Sequence, residues 1–178
     1  MRRLEVRTTV RPALYCSLAL AIALALPIPT LAARLDDEQT TTAVLRVLEL
    51  TNTEREQAGL GPLALSPELS GAAQDYSQVL ASGDCFAHTC GPLPKFRDRV
   101  TQAGYLGWTA IGENIAAGYL TPEAVVAGWM ASSGHRANIL SPRYSEIGIG
   151  VVSSGGRFGM YWTQDFGSRG VMPVASSD

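Results

Sequence analysis

The side chains best suited to chemistry in this sequence are two histidines and one glutamate. His88 and His135 are the only imidazoles in the 178-residue chain. His88 lies in the short segment Asp84–Cys90, DCFAHTC, between Cys85 and Cys90. Glu113 follows Gly112 and precedes Asn114, a composition that reads as a turn. His135 comes after Ser133-Gly134 at the end of an expected helix. Groups placed on loops and element ends can converge from distant positions, and functional residues concentrate there.

Two imidazoles and a carboxylate suit several kinds of chemistry. Zn²⁺ accepts both donor types, and three protein ligands plus water is its catalytic form. His88, Glu113 and His135 are therefore candidate metal ligands, with Ser133 and Asn138 as polar neighbours in the same cavity. No H-E-x-x-H helix and no separate general base accompany them. Ser133 stands two residues from His135, but a catalytic triad is defined by spatial geometry, which that spacing does not establish. A purely structural alternative has Glu113 accepting loop N–H groups while the histidines bond around it. Binding of a metal or small ligand without catalysis is the reading preferred here. The structural network comes next, and metal-dependent hydrolysis third.

The elements that must position these groups are legible in part. Val44, Val47, Leu48 and Thr51 share one face of a helix expected over residues 35–57, with Asp36, Asp37 and Glu38 near its N-terminus and Gly59 as its stop. Asn52 and Arg55 read as helix-end hydrogen-bonding groups. Ser66-Pro67-Glu68 and Thr121-Pro122-Glu123 each combine an N-cap, a first-turn proline and an acid, and start helices to about Ser82 and Ala131. A shorter helix is expected over 94–103. Beyond His135, Ile147, Ile149 and Val151 alternate with Gly148 and Gly150 as a half-buried strand, the glycines suiting a close approach. Residues 154–157 form a hairpin turn, 160–166 the return strand, and the tail from Ser168 frays. Helices followed by an antiparallel hairpin indicate α+β layering.

The first 32 residues read as a secretory signal peptide. Arg2, Arg3, Arg7 and Arg11 precede the apolar run Ala13–Leu26, and small residues follow at Thr30 and Ala32. The run is short for a bilayer span, so the expected product is an extracellular single domain, residues 33–178, with no stable membrane span after processing. Of 14 Lys+Arg and 16 Asp+Glu, the leader holds four and one, leaving a net charge of −5. That is no footprint for nucleic acid. Cys85 and Cys90 remain as an even pair, and in an oxidising compartment a disulfide around His88 is expected. The competing reading, a metal pair, lacks the partner pair of a zinc ribbon.

The segments TNTEREQAGLGPL, AHTC, GENI, GWMASSGHRANIL, EIGIGV and YWTQDFG occur in this order. Together they resemble the CAP superfamily, the SCP-like domain of cysteine-rich secretory proteins, antigen 5 and plant pathogenesis-related proteins, in its short bacterial form. The resemblance covers about 44–167. It implies a three-layer α-β-α sandwich with a central antiparallel sheet, secretion, and a cavity lined by two His and two Glu. His88 resembles the first cavity histidine, Glu113 the glutamate of the GEN motif, and His135 the second histidine. The second glutamate, three residues after a Trp on a helix in animal and plant members, is absent, because Met130, Ala131 and Ser132 follow Trp129. The resemblance further implies an extracellular lipid, small-molecule or cell-envelope ligand, since eukaryotic members bind sterols and lipids.

Overall fold

The computed structural model describes residues 31–83, 85–153 and 157–170. Most of the expected leader, the centre of the hairpin turn and the last eight residues lie outside that range. The described elements are α1 (Leu31–Gln57), β1 (Ala64–Leu65), α2 (Pro67–Ser82), α3 (Phe96–Gln102), β2 (Trp108–Ala117), α4 (Pro122–Ala131), α5 (Ser133–Ile139), β3 (Glu146–Ser153) and β4 (Met160–Arg169). The sheet order is β1-β3-β4-β2. β2, β3 and β4 pair antiparallel, and the two-residue β1 adds a parallel pairing to β3. The architecture is α+β, with helices on both faces of the sheet. Among the described residues no helix is long and apolar enough to cross a membrane.

The two helix starts behave as their side chains dictate. Ser66 Oγ accepts the Leu69 N–H and Thr121 Oγ1 accepts that of Ala124, with Pro67 and Pro122 just inside each helix. Residues of β3 and β4 alternate between two cores. Ile147, Ile149, Val151, Trp162 and Phe166 pack with Val47 of α1 and Val125, Val126 and Trp129 of α4. On the other face, Tyr161 and Val152 pack with Tyr76 and Leu80 of α2. Gly148 and Gly150 let α2 lie against the sheet backbone: a Cβ on Gly148 would stand 2.0 Å from the Leu69 carbonyl carbon.

Several expectations are corrected. The Gly112-Glu113-Asn114-Ile115 segment is not a turn but the middle of β2, paired residue by residue with β4. Polar side chains at buried strand positions hide the alternation there, and glycine is required at 112 because a Cβ would meet Tyr144 Oη at 2.4 Å. His135 does not end the preceding helix. Ser132 is extended and breaks it, and His135 sits in the first turn of the separate helix α5. β3 is buried on both faces rather than half-buried, since helices cover each side. Ser168 and Arg169 belong to β4 rather than a frayed end, held where Arg169 bridges Glu68 and Glu146. α1 starts at Leu31, so residues 36–38 lie past its first turn.

Candidate functional site

Edge strand β2 is the frame of the site. Its alternation points Glu113 toward the α2 layer and Asn114 toward the α5 layer. Tyr144 Oη, Asn138 Nδ2 and Trp129 Nε1 donate to the carbonyls of Ile111, Glu113 and Ile115 at 3.1, 3.1 and 3.3 Å. Side chains thus cover an edge that would otherwise offer open acceptors.

On the α2 side, Glu113 is 7 % exposed and both of its oxygens are engaged. His88 Nδ1–H donates to Oε1 at 2.8 Å, and the Arg99 guanidinium pairs with Oε2. Arg99 Nη1 also donates to the carbonyls of His88 and Pro94, each at 3.1 Å. Its guanidinium lies 3.4 Å from the centroid of the Tyr76 ring, a cation–π contact. Tyr76 Oη donates to the Ala87 carbonyl at 2.6 Å. The Cys85–Cys90 disulfide closes the same loop. His88 is therefore fixed by a buried acid while its ring remains half exposed. The Glu113 hydrogen bond raises its pKa, opposed in part by burial.

On the opposite side, α5 is tied to β2 through Asn114. Asn114 Nδ2 donates to the His135 carbonyl and to Gln164 Oε1, both at 3.1 Å, and Asn138 Nδ2 donates to Asn114 Oδ1 at 2.9 Å. Gln164 continues the chain to Thr51 Oγ1 on α1 at 2.9 Å. The His135 pKa is lowered, first by burial and then by the charge of His88. His88 thus lies on the α2 side of the edge strand, and the His135 backbone is tied to its α5 side. Asn138 is brought in with them. Ser133 is exposed and bonds to neither imidazole.

Two charged members of the cluster were not foreseen. Arg99 on α3 supplies the cation next to Glu113. Asp165 on β4 lies directly across the β2–β4 pairing from Glu113, is 1 % exposed, and has no hydrogen-bond partner at either oxygen. Burial first, and then the charge of Glu113, push its carboxyl well above the ordinary range, against a smaller opposing pull from Arg99. A lone Asp in the apolar strand MYWTQDF was the available signal for it. Arg99 carried none, because Arg on a short helix is ordinarily a solvated residue.

Among the described residues no group of three or more His, Cys, Asp or Glu is disposed to hold a metal ion. His88 and Arg99 occupy the two oxygens of Glu113, and residues 130–132 after Trp129 supply no second carboxylate. Arg55, expected to serve a helix end, reaches further. It is 2 % exposed and donates to the carbonyls of Gly61, Ile139, Ser141 and Tyr144, fastening the segment after α5 to α1.

Comparison with known proteins agrees with this architecture. The family model described as the cysteine-rich secretory protein family, CAP, matches residues 48–166. The chain is 42 % identical over 121 residues to YkwD of Bacillus subtilis, covering 68 % of this chain and 45 % of that one. It is 32 % identical over 129 residues to YlbC of the same organism, described as a membrane protein, covering 72 % and 35 %. An extracellular SCP-domain protein from Bacillus anthracis superposes with a TM-score of 0.70 at 26 % identity, covering 80 % of this chain and 45 % of that one. The chain therefore spans less than half the length of these relatives.

Proposed function

Because the chain belongs to the cysteine-rich secretory protein (CAP) family, we propose that it acts as an extracellular, non-enzymatic recognition module whose ligand meets the His88–His135 face. The observation that carries this reading is the His88–Glu113 pair, in which a buried carboxylate orients a half-exposed imidazole through its Nδ1. His135 adds a second imidazole, whose pKa is lowered by burial and then by the charge of His88. Such a face suits hydroxyl or anionic oxygens of a lipid headgroup, a cell-envelope glycan or another small molecule. Secretion through residues 1–32 would deliver it there, and N-terminal sequencing of protein from the medium should then begin near Ala33.

Titration with soluble cell-wall glycan fragments and with anionic phospholipid vesicles, followed through the two histidine ring resonances, tests the reading. It expects a saturable shift of the His88 signal with one of them, lost in Glu113→Gln. No shift with either would leave the cluster a structural network. The same oriented imidazole favours a second reading, hydrolysis with His88 as general base. Turnover of a simple ester that disappears in His88→Ala would select it.

A further inference from the structure

The CAP resemblance implies a metal-holding cavity, yet the residues facing Glu113 do not fit one. We infer that Arg99 is the resident cation of this cluster, and that it holds the Glu113 oxygen which a divalent metal would need. The argument is one of occupancy and charge. Each oxygen of Glu113 has a partner, His88 on one and Arg99 on the other. Arg99 is not a passing surface residue. Its side chain is 11 % exposed, stacks on Tyr76, and bonds the backbone of the loop that carries His88.

Guanidinium stays charged under all ordinary conditions, so the carboxylate it meets is already neutralised. A dication at the same carboxylate would face that positive charge in a partly buried setting, where screening is weak. It would also have to take Glu113 from a guanidinium fixed by three other contacts. Removing Arg99 reverses the balance, freeing one oxygen of Glu113 beside the His88 ring, a carboxylate and an imidazole that zinc accepts as donors. The inference does not depend on whether the His88 face binds an organic ligand.

Calorimetric titration of the purified protein with Zn²⁺ alone, near neutral pH, decides it. Wild type should show no one-to-one binding. Arg99→Met should bind one equivalent at least tenfold more tightly than wild type, and adding His88→Ala to that variant should abolish the gain. Arg99→Gln, neutral but still able to donate to Glu113, is the second variant should Arg99→Met fail to fold by circular dichroism. Arg99→Lys keeps the charge and should go on refusing the metal. One equivalent of Zn²⁺ held by wild type and lost in Glu113→Gln would overturn the assignment whatever the variants do. A folded neutral variant that binds no better than wild type would overturn it as well.

Discussion

Asp165→Asn should gain stability relative to wild type as pH rises above the range where free carboxyls ionise. In the folded protein Asp165 is sealed between β2 and β3, across from Glu113 and without a donor at either oxygen. Its folded pKa is raised, so the unfolded chain releases this proton first. Stability tied to the group is fully present below the unfolded value of about 3.9 and is lost as pH rises toward the folded one. Each pH unit in that window costs wild type up to about 1.4 kcal/mol. Asparagine has no proton to lose and keeps the shape. Its amide would also be short of partners, an offset of about 1–3 kcal/mol that does not vary with pH. The slope of the stability difference is therefore the readout. Urea denaturation of both proteins at a series of pH values from about 4 upward measures it. Parallel stability curves would mean that the folded pKa is not raised, and a variant that loses ground as pH rises would mean that Asp165 is held as an anion; either result would sink the reasoning.

Other perturbations test the frame around the site. Cys85→Ser opens a small ring and should cost roughly 2 kcal/mol, with amide exchange rising across residues 86–90 while α2 and the sheet stay protected; two free thiols in wild-type peptide maps would remove its basis. Gly148→Ala drives a methyl into the α2 backbone and should destabilise by ~3 kcal/mol or more, seen as a lowered denaturation midpoint, whereas Gly134→Ala, with open space around it, should cost far less. Arg55→Met strips the donor from four carbonyls and should cost roughly 3 kcal/mol or more by the same measurement, mostly as lost order after α5.

How much of this was readable in the sequence follows from which interactions are local. The starts of α2 and α4 were, because a cap, a proline and an acid act within one turn. Gly148 and Gly150 announced a close approach, although only the packed structure shows that α2 makes it. β2 was missed for a physical reason: its Glu113 and Asn114 are poor strand formers, and they are stable there only because partners from α3, α5, β4 and the His88 loop meet them. The same dependence explains the site. Glu113, His88, His135 and Asn138 could be named from residue type and family resemblance, yet the identity of the cation could not. That depends on α3 crossing behind the disulfide loop at a height set by the Tyr76 ring, a relation between residues 23 apart. A carboxylate in a cavity must be neutralised by something, and the motif around it does not say by what. In this fold the answer is an arginine outside every segment of the resemblance, so a match to those segments alone would assign a metal to a site whose charge is already balanced.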